Sequence, residues 1–463
     1  MIRDVTTAQT ETTLRRVISE GENYGRSQSG QGRKVLVEFV SANPNSPITV
    51  GSARAGVIGD VLANVLEAVG CQVYREYYVN DVVNIRQMEN LGRSLEARYL
   101  QALGQDVEFP EDGYKAEFVT QIAKQVVSKS GDKYLSLSKA DRVLKLTEIA
   151  EREMLTQQKS DLKAFGVSFD NWYSESALYE SGKVQAAIDR MRQNGYAYES
   201  GGAIWLKSTA FGDDKDRALL RRNEQLTYIA GDAAYHADKF DRGYDHLINV
   251  WGPQHTGYIA RTKAAVSAMG YDPERLDIII YQTVRLFSDG ELVMMSKRAG
   301  ELISLGELLE EAGSDAARFF LALQPANAFV DFDLEAAKEQ SADNPLYRVQ
   351  SAHALACKEL EGCGPMDVAS LDLSLLDDEL EMGLVQKLAD YPEEVEAAAS
   401  AREPYRIARY VHELAEAFHE FSSKRSGEQQ VAGDTRLALV QAARITMRCA
   451  LGLLGVSAQE RIQ

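Results

Sequence analysis

Cysteine is scarce in this chain of 463 residues, and the four that occur are widely scattered. Four scattered thiols are too few for a disulfide framework. Cys357 and Cys363 are six positions apart, but no second Cys or His pair lies nearby at the spacing of zinc ligands. We therefore expect no metal site and free, buried thiols at all four positions, Cys71, Cys357, Cys363 and Cys449.

Long apolar runs are also missing. No segment approaches the ~20 consecutive apolar residues of a membrane span, and the opening residues, MIRDVTTAQTETTLRR, contain no apolar signal core. We expect a cytoplasmic protein that does not associate with membranes. The net charge of −18 argues against a general nucleic-acid coat, although a local basic patch would still allow contact with a structured RNA.

One loop lacks the groups that its position would lead one to expect. Residues 41–56 read SANPNSPITVGSARAG, between a strand-like run (35–40) and a helix-like run (53–69). This is where a doubly wound α/β enzyme holds a phosphate. The loop has no histidine, however, and no lysine follows before Lys115. The pattern predicts a nucleotide-binding turn without its phosphate-binding side chains.

Two kinds of pattern divide the chain. Strand, loop, helix and strand occupy residues 35–83, and buried parallel strands are predicted near 246–252 and 276–284, with a helix over 258–269 between them. Charged, helix-periodic sequence fills about 86–200, where one helix face is predicted to carry Val143, Leu144, Leu146, Ile149 and Leu155.

A capping box, Ser304-x-x-Glu307, marks a later helix start. From about residue 343 onward, almost all of the pattern is helical. We predict an α/β catalytic domain over 1–340 with a mostly helical insertion at about 86–200. An all-α bundle is predicted to follow over 341–463.

Three separated stretches together resemble the class I arginyl-tRNA synthetases. They are VLVEFVSANPNSPITVGSARAGVIGDVLANVLEAVGCQVYREYYVND; TYIAGDAAYHADKF with NVWGPQHTGY; and MMSKRAGELISLGELLEEAGSDAARFF with DFDLEAAKEQSADNPLYRVQSAHA. The resemblance runs from about residue 12 to the end. It implies a Rossmann catalytic domain with an insertion and a helical anticodon-binding bundle. The implied reaction joins arginine to its tRNA with ATP and magnesium, with no tightly bound cofactor.

Two ATP motifs of this family are altered. The HIGH signature, H-V-G-H in the arginyl enzymes, reads Thr49, Val50, Gly51 and Ser52 here. The resemblance also implies that His255 lies at the nucleotide edge, as in the family. The KMSKR loop begins with methionine in place of lysine, at Met294, Met295, Ser296, Lys297 and Arg298. Losing one preorganised donor costs ~10²–10³ in rate, so a combined, non-additive deficit of ~10⁴ or more is expected.

The arginine pocket of the family, in contrast, looks retained. Carboxylates recognise a guanidinium in a fork geometry, backed by hydroxyl or planar groups. The resemblance places this pocket at Glu38, Asn43, Tyr228, Asp232 and Gln254. The ligand is expected to be L-arginine or a guanidino analogue.

Features that relatives use on tRNA are reduced. The family's N-terminal domain, which grips the tRNA elbow, is not expected in this chain. Ser422-Ser423 replace a Tyr-Asn pair of the bundle, and a stacking aromatic is worth ~1–3 kcal/mol, which weakens the expectation of anticodon reading.

Three hypotheses remain open. One is a divergent enzyme that passes arginine to tRNA or another acceptor. Another is a non-catalytic paralogue that binds arginine, tRNA or a partner protein. A degenerate protein without a role is the third.

Overall fold

The computed structural model describes residues 7–81, 86–293, 303–364, 368–425 and 433–462. Within these ranges the α-helices are α1 (Thr7–Glu20), α2 (Val50–Ala68), α3 (Arg86–Ala102), α4 (Glu117–Ser130), α5 (Lys139–Ala164), α6 (Glu175–Glu180), α7 (Lys183–Gln193), α8 (Tyr228–Asp241), α9 (Ile259–Ala268), α10 (Leu305–Ala322), α11 (Leu334–Lys338), α12 (Pro345–Glu359), α13 (Glu379–Ala401), α14 (Tyr405–Arg425) and α15 (Gly433–Leu454). The strands are β1 (Lys34–Glu38), β2 (Gln72–Val79), β3 (Asn171–Ser174), β4 (Ala197–Ser200), β5 (Ala203–Leu206), β6 (Arg217–Leu220), β7 (His246–Trp251), β8 (Leu276–Ile280), β9 (Val284–Ser288), β10 (Glu291–Leu292) and β11 (Val330–Asp333).

A parallel five-stranded sheet forms the centre of the first part of the chain. Its strand order is β3-β2-β1-β7-β8, and Val35 of β1 is paired with Val73 on one side and His246 on the other. The chain leaves β1 toward β2 on one side and returns to β7 on the other, so the order reverses between β1 and β7. Ligands of doubly wound sheets bind outside the carboxyl ends of the strands at such a point. The predicted Rossmann-like α/β fold is confirmed.

The apolar run over 276–284 was predicted to be a buried strand of the parallel sheet. It contains β8 and the start of β9, which belong to different sheets. β8 pairs in parallel with β7, whereas β9 pairs with β11 and β10 in a second, three-stranded sheet. The turn between them is set by Tyr281 N–H donating to Trp251 O (3.0 Å) and Gln282 N–H donating to Ala326 O (2.8 Å). Because β8 is an edge strand, most of its residues are only half-buried, so the prediction of full burial was wrong there.

The inserted region contains a small helical core of its own. Helices α3, α4 and α5 pack together through buried residues such as Leu95, Ile122 and Leu146. Ile149 is also buried, as predicted, but Leu144 is 50% exposed, so its assignment to the apolar face was wrong. Leu144 lies two residues, or about 200° of helix rotation, from Leu146, which turns it away from the core. Strands β4, β5 and β6 then form an antiparallel meander.

The helical bundle at the C-terminal side is built from α12 to α15, and α1 joins it. Leu14 and Val17 of α1 are fully buried where this helix packs against α13 and α15. By length and composition α15 could span a membrane, but its residues Leu439 and Leu451 are fully buried in the bundle, so a core helix explains its apolar character. The predicted all-α bundle is confirmed.

Buried Arg318 connects the bundle to the central sheet. Its guanidinium donates to Asp60 Oδ2 on α2 (2.5 Å), to Phe165 O after α5 (3.0 Å) and to Leu454 O at the end of α15 (2.8 Å). A guanidinium with three fixed acceptors holds these elements in one arrangement. Ahead of it, α10 starts with the predicted capping box, in which Ser304 Oγ accepts from Glu307 N–H and Glu307 Oε2 accepts from Ser304 N–H.

All four cysteines are free thiols, as predicted. Cys71 is buried, Cys357 and Cys449 are partly buried, and Cys363 is exposed. The expectation of burial was therefore wrong for Cys363, which follows the end of α12 in a surface turn.

Candidate functional site

The turn that leaves β1 has an unusual backbone. Val40 (φ 68°) and Ser41 (φ 40°) both lie in the left-handed region, which a β-branched residue rarely adopts. Ser41 Oγ donates to Glu38 Oε1 (3.0 Å) and accepts from Tyr78 N–H (3.1 Å), which fixes the turn between β1 and β2. Backbone held in such a conformation is common where a site needs a preset geometry.

The loop after this turn is held by residues from two other elements. Tyr77 of β2 donates its hydroxyl to Ala42 O (2.8 Å). Gln158 of α5, which is fully buried, donates to Asn43 O (3.1 Å) and Ser46 O (2.9 Å). The helical insertion thus positions the loop at the candidate site. The sequence reasoning did not single out Gln158, because its role depends on how α5 packs.

Asn43 has its side-chain amide engaged on both sides. Its Oδ1 accepts from Asn80 Nδ2 (2.7 Å), and its Nδ2 donates to Gln87 Oε1 (3.0 Å). Asn43 is half-buried at the carboxyl edge of the sheet, next to the end of β2. A ligand there would meet an asparagine whose orientation is already fixed.

The altered signature positions form the start of α2. Thr49 is the N-cap, and its Oγ1 accepts from Ser52 N–H (3.2 Å) and donates to Ser52 Oγ (3.2 Å). Ile48 O accepts from Leu305 N–H (2.7 Å), and Thr49 forms a bridge with Ser304. The two hydroxyls contact each other and the helix end, which is ordinary capping chemistry. Gly51 lies between them, and a Cβ added there would make an ordinary contact with Thr49 Oγ1 at 3.8 Å.

Glu38, at the end of β1, is paired with a buried cation. Lys239 of α8 is fully buried and donates to Glu38 Oε2 (2.6 Å) and to Asn249 Oδ1 of β7 (3.0 Å). The negative charge of Glu38 is therefore balanced by the ammonium group of Lys239. The sequence predicts Glu38 as a direct ligand contact, and the structure shows that part of its acceptor capacity is used inside the protein.

Asp232 is a carboxylate of the site that interacts with two other acids. It is half-buried in the first turns of α8. Burial, together with the Glu175 and Glu38 carboxylates, raises the pKa of Asp232 to about 7, and the cations Lys239 and Arg261 oppose this shift less strongly. A carboxyl group that lies near other carboxyl groups favours the binding of a positively charged ligand.

Glu175, which the sequence analysis did not identify, is the second acid of this pocket. It directly follows β3, and β3 ends beside β2, where Ser174 is paired with Val79. Burial raises the pKa of Glu175 to about 7, and the Asp81 carboxylate adds to this. The Tyr78 hydroxyl lies beside the Glu175 carboxylate, where it acts as a hydrogen-bond donor that lowers the pKa of Glu175 against these effects. Glu175 Oε2 is buried, and its remaining acceptor capacity could serve a ligand donor.

Three tyrosines surround the two acids. Tyr179 interacts electrostatically with Glu175, Asp232 and Tyr228, and Tyr78 with both acids. Tyr179 packs so closely on α8 that a side chain at Gly231 would lie 2.6 Å from its hydroxyl. Tyr228 begins α8 and is 64% exposed. Hydroxyls and carboxylates thus lie close enough to interact with one another beside the carboxyl ends of the strands.

Gln254 and His255 lie in the turn after β7, which is the other side of the point where the strand order reverses. Gln254 folds back over Gly252, where a Cβ would lie 2.4 Å from Gln254 Oε1. The His255 ring lies 5.9 Å from the Trp251 ring and 5.7 Å from the Tyr258 ring. The side chains of Gln254 and His255 are exposed. Partial desolvation of the ring lowers the pKa of His255, and the nearby Glu38 carboxylate opposes this shift less strongly.

The predicted site residues thus fall into three groups. Glu38, Asn43, Asp232 and Tyr228 lie around the carboxyl ends of β1 and β2, with Gln254 and His255 after β7. Thr49, Gly51 and Ser52 form the adjacent helix start. Met294, Ser296, Lys297 and Arg298 lie outside the described residues.

The geometry suits a cationic, hydrogen-bonding ligand. Two acids with raised pKa values would both ionise once a guanidinium lay between them, since an opposite charge favours the charged form. The remaining acceptor capacity of the Glu175 carboxylate would then be used by the N–H groups of the guanidinium. No group of three or more His, Cys, Asp or Glu that could hold a metal ion is found in the described parts of the chain.

Two family models match this sequence. The model for the catalytic domain of class I (R) tRNA synthetases matches residues 13–325, and that for the DALR anticodon binding domain matches residues 349–462. The first covers more than half of the chain, and the second covers most of the helical bundle.

The sequence of this chain is similar to those of known proteins over almost its whole length. The arginine–tRNA ligase of Heliobacterium modesticaldum is 47% identical over 452 residues, which is 95% of this chain and 80% of that protein. That of Carboxydothermus hydrogenoformans is 46% identical over 453 residues, which is 96% and 81% of the two chains. The solved arginyl-tRNA synthetase of Thermus thermophilus superposes with a TM-score of 0.78 at 24% identity, over 98% of this chain and 86% of that one, and so shares the fold.

Proposed function

The chain belongs to the class I arginyl-tRNA synthetase family, and we propose that it binds L-arginine or a close guanidino analogue but forms the aminoacyl adenylate poorly or not at all. Arginine binding is supported by the neighbouring carboxyl groups of Asp232 and Glu175, which interact with each other and whose pKa values are both raised. Poor adenylate formation is supported by the hydroxyls that replace the imidazoles of the family signature: that of Thr49 caps α2, and that of Ser52 accepts from Thr49 Oγ1.

Arginine fits this pocket for reasons of charge and shape. A planar guanidinium offers five donors in a fork, which can serve two carboxylates and tyrosine hydroxyls together. Lys239 does not compete for the pocket, because it is fixed on Glu38 and Asn249. Asn43 and Gln254 lie at the edge of the same crevice, where they would meet the amino-acid end of the ligand.

The side chains at positions 49 and 52 are too short and lack the charge needed for ordinary adenylation. A threonine or serine hydroxyl is short and uncharged, so it cannot neutralise a phosphoryl oxygen as an imidazolium can. Thr49 is in addition engaged as an N-cap. Met294 replaces the first lysine of the other ATP motif, while Lys297 remains. ATP with magnesium would therefore bind, if at all, without the groups that accelerate the chemistry.

A second candidate is an active, divergent arginine-activating enzyme that uses tRNA or another acceptor. The specific observation in its favour is His255, which the chain retains within the electrostatic reach of Glu38. The preset turn at Val40 and Ser41 also keeps the crevice in shape. Under this reading the hydroxyls of Thr49 and Ser52 would have to leave the helix cap to contact ATP.

The bundle supports a proposal about partners. We propose tRNA as a binding partner through residues 341–463, with a catalytic domain over 1–340 and its insertion at about 86–200, in a cytoplasmic protein. The match of the anticodon-binding model to 349–462 supports this division. Ser422 donates to Glu359 Oε1 (2.7 Å) in place of offering an aromatic surface, so we expect weak anticodon discrimination. A protein partner remains an alternative occupant.

One pair of measurements tests the proposal. Arginine binding is measured by calorimetry and by thermal unfolding, since a ligand at 100 times its Kd adds ~2.7 kcal/mol of stability. Pyrophosphate release from ATP is measured with arginine, with and without total tRNA. Binding without turnover is the expected result. Robust pyrophosphate release, with or without tRNA, would establish the divergent enzyme. Absence of binding at millimolar arginine would rule out the arginine pocket.

A further inference from the structure

A continuous chain of buried hydrogen bonds connects Asp232 on α8 to Glu38 on β1. It starts at the backbone of Asp232, whose carbonyl oxygen accepts from His236 Nδ1–H (2.7 Å). His236 Nε2 then accepts from Asn249 Nδ2 of β7 (2.7 Å). His236 is 2% exposed and Asn249 is fully buried, so water does not replace either contact.

The second half of the chain runs from β7 to β1. Asn249 Oδ1 accepts from Lys239 Nζ (3.0 Å), and the same ammonium donates to Glu38 Oε2 (2.6 Å). The ammonium also lies 4.1 Å from the centre of the Tyr235 ring. Each member therefore has its partners within the protein, as buried charged and polar groups require.

Only one assignment of donors and acceptors satisfies this arrangement. A carbonyl oxygen can only accept, so the proton of His236 must be on Nδ1, and Nε2 must accept. Asn249 then has to turn its NH₂ toward His236 and its oxygen toward Lys239. Burial lowers the pKa of His236 to about 3, so the ring stays neutral and the orientation does not change near neutral pH. The chain is thus a rigid spacer.

We propose that His236 and Asn249 are positioning residues that set the length of the guanidino pocket, and so determine the preference for arginine over a guanidino amino acid with one more methylene. This inference rests on the proposed arginine binding. The spacer fixes α8, which carries Asp232, relative to β1, which carries Glu38. One methylene in a fitted pocket usually changes binding about 10–200-fold, and only a pocket of fixed length can discriminate to that degree.

The test compares dissociation constants for L-arginine and L-homoarginine, measured by calorimetry on the full chain. His236→Phe removes both contacts of the ring, and Asn249→Leu removes both contacts of the amide. The milder Asn249→Asp keeps the acceptor for Lys239 and loses the donor to His236, so it serves if the other variants do not fold. We expect the arginine-to-homoarginine preference to fall about tenfold or more in each, within the range that a methylene contributes.

A matched control separates positioning from general stability. His353 in the bundle is also 2% exposed, and its Nδ1 lies 2.8 Å from Gln459 O. His353→Phe should lower the melting temperature, as His236→Phe does, but leave the preference for arginine unchanged. Folded His236 or Asn249 variants that bind arginine with an unaltered preference would overturn the inference alone. If the unmodified chain does not bind arginine, the proposed function fails and the inference with it.

Discussion

The hydroxyl of Thr49 accepts the backbone N–H of Ser52 at 3.2 Å, so the two positions that hold histidines in the family signature cap their own helix. Thr49 is the N-cap residue and Ser52 is the third residue of α2. This answers the question raised by residues 41–56, whose outline suggests phosphate binding without the side chains for it. The turn is retained with a structural role that does not need imidazoles.

Thr49→Ala should therefore destabilise the protein. Loss of an N-cap side chain costs about 0.5–2 kcal/mol, and urea denaturation followed by circular dichroism measures the free energy of unfolding. Thr49→Asn keeps a capping oxygen and should be close to neutral. Ser52→Ala is the matched control, because its backbone N–H still reaches Thr49. Equal destabilisation by Ser52→Ala would contradict the capping interpretation.

Restoring the family residues should restore chemistry. The triple variant Thr49→His, Ser52→His and Met294→Lys regains the two imidazoles and the lysine of the altered motifs. Arginine-dependent pyrophosphate release should rise at least ~10²-fold, since each preorganised donor is worth ~10²–10³ in rate. The unmodified chain and the Met294→Lys single variant are measured in parallel. An unmodified chain that is already as fast as the triple variant would show that the hydroxyls are sufficient.

Arginine binding should strengthen as the pH rises from 6 to 8. The pKa values of Asp232 and Glu175 are each about 7 without a ligand, and a guanidinium requires the ionised forms. Ionisation of one group with a pKa of 7 increases about tenfold over this interval, so the Kd should fall about tenfold for each carboxyl that must ionise. Calorimetry in two buffers should also show proton release on binding below pH 7.

The same pKa values set the pH dependence of the free protein. A carboxyl group whose pKa is raised on folding stabilises the folded state below its unfolded pKa, near 4. That stabilisation is lost as the pH rises toward about 7. Saturating arginine should reduce this loss, because it favours the ionised acids. Thermal unfolding between pH 4 and 8, with and without arginine, measures both trends, and parallel curves would contradict them.

Glu175→Gln separates stability from binding. The amide has the shape of the carboxyl group but no charge to desolvate, so the free protein at pH 8 should be at least as stable as the unmodified chain. Its stabilisation by arginine should nevertheless disappear. Glu180→Gln, at the exposed end of the same helix, is the control and should retain the arginine effect. Loss of the effect in both variants would mean that α6 itself, and not the carboxylate of Glu175, is required.

Gln158→Leu tests whether the insertion supports the loop at the site. The change leaves Asn43 O, Ser46 O and the Tyr77 hydroxyl without their Gln158 partner, at about 1–3 kcal/mol for each buried group left unsatisfied. Stability should fall clearly, and arginine binding should weaken because Asn43 is no longer held. Gln157→Leu, one residue away and exposed, loses the hydrogen bond to Asp161 Oδ1 (2.7 Å) but no contact with the loop, so it should leave arginine binding unchanged. Equal effects of the two changes would contradict the bracing role.

Local signals in the sequence were sufficient for some of these features. Glu38 lies within the strand-like run predicted over 35–40, and Ser304 and Glu307 form the capping box that their spacing predicts. The crevice between β1 and β7 follows from the alternation of strands and helices, which fixes where parallel strands end. Each of these inferences depends on residues that are near one another in the chain.

Features that depend on distant pairing could not be predicted in this way. Glu175 lies in a region interpreted as helical, and it joins the site because the short strand β3 pairs with β2. The contact of Lys239 with Glu38 spans 201 positions, and no local pattern marks either residue as a partner of the other. The burial of Gln158 likewise depends on the packing of α5 against the loop.

The place of α1 in the bundle has a consequence for how the protein is made. Its buried residues Leu14 and Val17 contact a bundle that includes α15, although the chain between Glu20 and Gly433 is synthesised in the meantime. At ~5–20 residues per second, roughly 20–80 s pass between the synthesis of α1 and that of its last partner helix, α15, although its other partner, α13, is made earlier. During that time its apolar face is open to chaperones or to neighbouring chains. Nascent chains stalled before residue 433 should therefore bind a chaperone at α1, and completed chains should not.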